Sequence, residues 1–247
     1  MTAPGRSAAT ADGRGRRRVV AVIVAAETTG SSGAAVRALL APLAGRPVIE
    51  HSVAAFEQAP SVEEILVVVP AALTEQVRRR LAAGGYRKVS RVIDGGATRA
   101  ESVRRALGAL GDADAGVLIH DAARPLLSQR VIAGCVTALG SHDAVCAVVP
   151  AADTMVAVEN EFITERPQRD RLRRRQTPQG FRLAVIRRGH ELARADPAFE
   201  PADDCAVVLR YLPEVTVRLV PGSELSFPVT SPADLDIAET LLAAGLP

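Results

Sequence analysis

Every residue of the six-residue run Val19–Val24 is valine, isoleucine or alanine, and the run empties into the small residues of Ala25–Gly33. A strand with no polar alternation has no face to offer water. Both of its faces must be covered, which is the habit of a parallel strand inside an α/β sheet. A buried strand that ends in a glycine-rich turn at the carboxyl edge of such a sheet is a common seat for a phosphate. Yet no cation follows this strand before Arg37.

The same alternation runs through the rest of the chain. Pro47 starts a helix over Val48–Gln58, and Glu64–Val69 is a second apolar strand stopped by Pro70. A helix follows, with Thr74 read as its N-cap and Gly84 as its stop. A third strand ends at the paired glycines Gly95 and Gly96, and Thr98 with Glu101 has the spacing of a capping box for the next helix. A fourth strand runs into the polar tip His120-Asp121-Ala122-Ala123-Arg124-Pro125, and after a helix the run AVCAVVP closes at Pro150. The pattern then breaks. From Ala151 to Gln176 the chain is polar, with short alternating pieces and an arginine-rich end, and reads as a hairpin or arm leaving the core. Thr177–Ala195 reads as a helix, Asp203–Leu212 as another, Val215–Val220 as a strand, and Ser231–Gly245 as a capped helix. The expected fold class is α/β, a doubly wound and mostly parallel sheet with a protruding β-arm. Residues 1–18 are expected to be a disordered basic tail, residues 19–245 one domain, and the arm to span about 151–176.

Composition narrows the function. Hydrophobic residues at 48% and charged residues at 23% are ordinary for a soluble globular chain. A net charge of +2 and the absence of tryptophan argue against nucleic acid as a partner. No apolar run is long enough to span a membrane, and the first 18 residues lack the apolar core of a secretory signal. Cys135, Cys146 and Cys205 have no paired or zinc-type spacing, so buried thiols in a reducing, cytoplasmic setting are expected. Lys88 is the single lysine, so any chemistry that needs one has one candidate.

In a doubly wound sheet the ligand lies outside the carboxyl ends of the strands. Those positions hold Ala25–Gly33, Asp94–Arg99, His120–Pro125, Pro150–Thr154 and Pro221–Pro228. Asp121 at a strand end suits a divalent cation or a sugar hydroxyl, and Arg99, Arg124 and the arm arginines suit phosphates. Taken singly, each has a plainer use, Thr98 and Ser102 as helix caps and the arginines as a solvated face. Their order is more specific. Gly95-Gly-x-x-Arg99-x-x-Ser102-Val103, Val117-Leu-Ile-His-Asp-Ala-Ala-Arg-Pro125, Pro150-x-x-Asp153-Thr154, Gln176-Thr-Pro-Gln179-x-Phe181, Asp203-Asp204 and Thr230-x-Pro-x-Asp-Leu235 stand in sequence. Together they resemble the 2-C-methyl-D-erythritol 4-phosphate cytidylyltransferase family over about Val19 to Leu242.

The resemblance implies a nucleotidyltransferase of isoprenoid biosynthesis that joins CTP to a polyol phosphate with Mg²⁺. It also implies a homodimer whose arm reaches the partner's site. It places Ala25, Ala26, Gly96, Ala97 and Ser102 around the cytidine, and Asp121 at the reaction centre near the metal. Arg124, Thr154, Arg169 and Thr177 would hold the polyol phosphate. The chain departs from the family pattern Ala-Ala-Gly-x-Gly-x-Arg, then Pro-Lys-Gln, in its first loop. Glu27 and Thr29 stand for the glycines, Ser31 for the arginine and Ala38 for the lysine, while Pro228 replaces a second lysine near the end. Three missing cations beside a triphosphate predict a weakened site. The alternative reading is therefore a catalytically impaired paralogue that serves as a ligand-binding or dimerising regulatory subunit.

Overall fold

The computed structural model describes residues 17–25, 38–111, 114–196 and 198–246. Residues 1–16 of the expected tail and the loop positions Ala26, Glu27, Thr29, Ser31 and Arg37 fall outside these residues, whereas Arg17 and Arg18 are described and pair with Asp114 and Glu64. The first strand, β1 (Val19–Val24), is buried at every residue. Two very short strands, β2 (Pro42–Leu43) and β3 (Arg46–Pro47), lead into helix α1 (Val48–Gln58). Then come β4 (Glu64–Val69), α2 (Ala71–Ala83), β5 (Val89–Asp94), α3 (Arg99–Ala109), β6 (Gly116–Asp121), α4 (Gln129–Leu139) and β7 (Ala144–Pro150). The arm carries β8 (Ala157–Glu159) and β9 (Phe162–Glu165), after which β10 (Arg173–Arg182) re-enters the body. Helices α5 (Leu183–Arg194) and α6 (Asp204–Tyr211), strand β11 (Val217–Pro221) and helix α7 (Pro232–Ala243) complete the chain.

Seven strands form one sheet in the order β11-β7-β10-β6-β1-β4-β5. Strand β10 runs antiparallel to both of its neighbours, and the other pairings are parallel. The alternating side chains of β1 show why the run is apolar throughout. Val19, Ala21 and Ile23 join one core with Phe56 of α1, Leu81 of α2 and Ile132 of α4. Val20, Val22 and Val24 join a second core with Val103 of α3, Ile186 of α5 and Val208 of α6. Helices therefore cover both faces, as expected for a doubly wound sheet. A smaller cluster seats α7 on Leu43, Val48 and Leu126 through Ala238.

Three local expectations are corrected. Thr177–Arg182 is not helical; with Arg173–Gln176 it forms β10, wedged between β6 and β7. Gln176, Thr177 and Gln179 are buried there, and polar side chains that find partners inside the core remove the apolar signature by which a central strand is recognised. The arm accordingly ends before Arg173, not at Gln176. Thr74 does not cap α2, because Pro70 (φ −51°, ψ 139°) already sets the chain up for a helix from Ala71. Its hydroxyl instead donates to the Asp94 carboxylate at the end of β5. Half of the capping box on α3 forms, with Thr98 accepting from the Glu101 N–H. The Glu101 carboxylate reaches past Thr98 to accept from the Ala97 N–H at 2.9 Å. The box at Ser231 and Asp234 of α7 is complete, and all three cysteines are free and buried. No helix among the described residues is long and apolar enough to cross a membrane.

Phe56 is fully buried and meets the His120 ring edge-on, 5.4 Å between centroids. Phe56→Ala should lower unfolding free energy by about 3–5 kcal/mol, read from urea denaturation. A loss below about 1 kcal/mol would contradict this packing.

Candidate active site

Because all but one of the strands of the seven-stranded sheet point the same way, their carboxyl ends gather functional groups at one edge. A cavity of about 430 Å³ lies there, bounded by Ala25 after β1, Asp121 at the end of β6, Arg124, and Arg175, Thr177 and Gln179 of β10. Three arginines (Arg99, Arg124, Arg175) and two aspartates (Asp121, Asp203) line it, and guanidinium N–H groups of this kind suit an anionic ligand.

These charges are tethered. Arg99, in the first turn of α3, places Nε 3.0 Å from Asp121 Oδ1 and Nη1 2.8 Å from Asp204 Oδ2. Burial opposes its charge, but the Asp204 and Asp121 carboxylates outweigh that effect and hold the guanidinium pKa above its ordinary value. Arg124 sets Nε 3.4 Å from Asp121 Oδ2 and donates from Nη1 to the Ser226 carbonyl at 2.8 Å. Burial would raise the Asp121 pKa, yet the flanking Arg99 and Arg124 lower it. Arg175 pairs with Asp203, which also accepts from Gln179 Nε2 at 2.9 Å. A guanidinium held on two sides aims its remaining N–H groups in fixed directions, which is preorganisation in the sense that favours phosphate chemistry.

Behind Asp121 a neutral network fixes the strand tip. Thr177 Oγ1 accepts from the Asp121 N–H at 3.1 Å and donates to His120 Nδ1 at 3.0 Å. The opposite ring nitrogen, Nε2, donates to the Arg124 carbonyl at 3.1 Å. One proton on Nε2 satisfies all three contacts, so a neutral imidazole fits. Burial depresses the His120 pKa to about 4, more than the Asp121 carboxylate can offset.

Of the residues singled out in the sequence, Ala25, Asp121, Arg124 and Thr177 meet at the cavity. Pro228 is also on its wall, together with Leu39, the neighbour of Ala38. Gly96, Ala97 and Ser102 build the turn between β5 and α3. Ser102 Oγ accepts from the Gly96 N–H and donates to the Thr98 carbonyl, both at 3.0 Å. A Cβ on Gly95 would come within 2.8 Å of that oxygen, so close approach requires glycine there. Thr154 and Arg169 are exposed on the arm and do not reach the cavity of their own chain. Lys88 is remote, its Nζ donating to the Ala59 carbonyl at 2.6 Å. The sequence reading gave Arg99 no more than a phosphate-pairing role and missed the cavity position of Arg175. Their paired carboxylates lie too far along the chain for spacing to reveal them.

No cluster of three or more metal-binding side chains forms among the described residues. Asp121 is the half-exposed carboxylate of the cavity, 31% accessible. One carboxylate suffices for Mg²⁺, which keeps several waters and binds through one or two carboxylates plus substrate phosphates. The donor set therefore fits an ion that arrives with a nucleotide rather than a resident metal.

The depressed pKa of His120 makes stability depend on pH. Between the unfolded value of 6.5 and about 4 the unfolded chain binds the extra proton. Stability should thus fall as the pH drops through this window, by up to about 3 kcal/mol from this residue. His120→Gln should flatten that slope in urea titrations at pH 7, 6, 5 and 4, and an unchanged slope would remove His120 from the account.

Comparison with known proteins agrees with this geometry. The family model for 2-C-methyl-D-erythritol 4-phosphate cytidylyltransferase matches residues 19–244. The protein of that name from Thermobifida fusca is 48% identical over 238 residues, covering 94% of this chain and 96% of its own. The crystal structure of the protein of that name from Thermus thermophilus superposes with a TM-score of 0.72 at 32% identity, covering 90% of this chain and 98% of its own. The 4-diphosphocytidyl-2C-methyl-D-erythritol synthase structure from Anaerococcus prevotii gives 0.83 at 25% identity, covering 93% and 100%. The chain belongs to the 2-C-methyl-D-erythritol 4-phosphate cytidylyltransferase family.

Proposed function

We propose that this chain transfers the cytidylyl group of CTP to 2-C-methyl-D-erythritol 4-phosphate and releases pyrophosphate, a step of isoprenoid precursor biosynthesis. The observation that carries this reading is a near full-length relative of that name at 48% identity. The arginine-lined cavity at the carboxyl edge is consistent with it. The same relative supports the catalytic reading over the impaired-subunit alternative. Free thiols and a supply of CTP suit the cytoplasm.

The chemistry asks little of proton transfer. A phosphate monoester, whose second ionisation lies near pH 6, is largely dianionic at neutral pH and needs no general base. Its oxygen forms a bond to the α-phosphorus of CTP while the bond from that phosphorus to the bridging oxygen breaks, and the electron pair leaves with pyrophosphate. The protein must neutralise charge and hold the two anions in line. Arg99, Arg124 and Arg175 are the guanidiniums placed to do so, and Asp121 orients two of them. Asp121 and the nucleotide's phosphates would hold Mg²⁺, which when bound adds further neutralisation of the triphosphate. With Ser31, Ala38 and Pro228 in place of cations, the share carried by the cavity arginines is larger. Ala25, Ala26 and the turn of Gly96, Ala97 and Ser102 are the proposed seat of the cytidine.

The arm supports a homodimer. A lone two-stranded hairpin is marginal in water, yet this one exposes Val158 (61%), Phe162 (75%) and Ile163 (70%). A second copy would cover that apolar face and bring Thr154 and Arg169 to the partner's acceptor phosphate.

The test is pyrophosphate release from CTP and the polyol phosphate with Mg²⁺. Turnover of about 1–10² s⁻¹ is expected, with Arg124→Ala slower by about 10²–10³-fold. Saturable cytidine-nucleotide binding without turnover would overturn the assignment in favour of a binding subunit. In sedimentation, wild type should run as a dimer and Phe162→Glu as a monomer. A wild-type monomer that turns over fully would reject the arm's role.

A further inference from the structure

His190 lies in the middle of α5, away from the cavity, and is 2% exposed. Its Nε2 is 3.0 Å from Asp204 Oδ1, and the other oxygen of Asp204 holds Arg99 Nη1 at 2.8 Å. Arg99 Nε then reaches Asp121 Oδ1 at 3.0 Å. A continuous hydrogen-bonded line thus runs from the α3–α5 side of the molecule to the carboxylate at the centre of the cavity. Burial would raise the Asp204 pKa, but Arg99 and His190 more than compensate and hold it down at about 2.

Histidine is a costly choice at this position if packing were its only role. Its Nδ1 is buried without a hydrogen-bond partner, and a desolvated polar atom without a partner costs free energy that leucine would not incur. What the ring supplies is the Nε2–H, which satisfies the second oxygen of a fully buried carboxylate. Without that donor Asp204 is free to turn about its own axis, and its grip on Arg99 loses a fixed direction. A cleft of about 240 Å³ lies beside His190, between Arg104 of α3 and Arg187 and Glu191 of α5, and offers Nδ1 no hydrogen-bond partner. Among the described residues, the one hydrogen bond the imidazole makes is to Asp204.

We propose that His190 is a positioning residue for the transfer reaction, acting through Asp204 to fix Arg99 and, through Arg99, Asp121. The proposal rests on the function assigned above for its kinetic consequence, but not for its structural one. Only Nε2 matters to it, so glutamine, whose amide nitrogen extends about as far, should substitute, whereas leucine and the shorter asparagine should not.

The experiment compares wild type with His190→Leu, His190→Gln and His190→Asn. It measures kcat, KM for both substrates, thermal unfolding, and hydrogen exchange of the Arg99 Nε–H by NMR. His190→Leu should lower kcat by about ten- to a hundredfold, the scale of a small misplacement of a reacting group, while both KM values shift less than about threefold. Arg99 Nε–H exchange should quicken at least tenfold, and His190→Gln should restore both properties. Should the leucine variant not fold, the glutamine and asparagine variants decide the same question. Wild-type kcat and Arg99 exchange in His190→Leu would overturn the proposal, as would a folded His190→Gln that behaves like leucine. A wild-type protein without turnover would instead sink the assigned reaction, while Arg99 exchange would still decide the relay.

Discussion

The site depends on one buried cation. Arg99 is held between Asp204 and Asp121, residues 105 and 22 positions away in the chain. Taking a guanidinium out of water is unfavourable unless its charge is met by good partners. Here the partners come from the start of α6 and the end of β6, so α3, α6 and the sheet are locked by the same contact that sets up the cavity. Removal of either carboxylate would leave part of a largely buried guanidinium without an acceptor. The pairing therefore ties folding to site geometry, and the cavity inherits its arginine N–H donors from groups that cannot wander.

Beside this ionic frame stands an uncharged one. His120, Thr177 and the backbone of Asp121 and Arg124 exchange hydrogen bonds in which each donor has one acceptor. A neutral ring beneath the tip lets the local field be set by the arginines and aspartates alone. At the strand tip the charges that face the ligand are paired and partly wet, while His120 and Thr177 beneath them are neutral and satisfied.

Much of this was legible in the amino-acid order. Val19–Val24 and Glu64–Val69 announce themselves because every side chain is buried on one face or the other. Asp121 stands out because an apolar run ends on it. Strand β10 was illegible for the opposite reason: Gln176, Thr177 and Gln179 are core residues whose polarity is spent on Ser223, His120 and Asp203. Local periodicity cannot report a partner tens of residues away. For the same reason His190 reads as an ordinary helix residue, and Arg99 as a phosphate-pairing or solvated arginine rather than one tied to Asp204 and Asp121. Thr154 and Arg169 were recognised from motif order, and a single chain does not bring them to a site.

The root of the arm has a further consequence. The arm leaves at the end of β7 and returns at the start of β10, and these two strands pair directly, Pro150 opposite Arg173. Both ends of the excursion are thus fastened by one strand ladder. Whatever lies between them can lengthen, shorten or change its surface without disturbing the order or register of the sheet. The excursion behaves as a cassette. The end of the molecule that would meet an acceptor and a second subunit can be rewritten, while the cavity edge at strands β1 and β6, the proposed nucleotide end, is left alone.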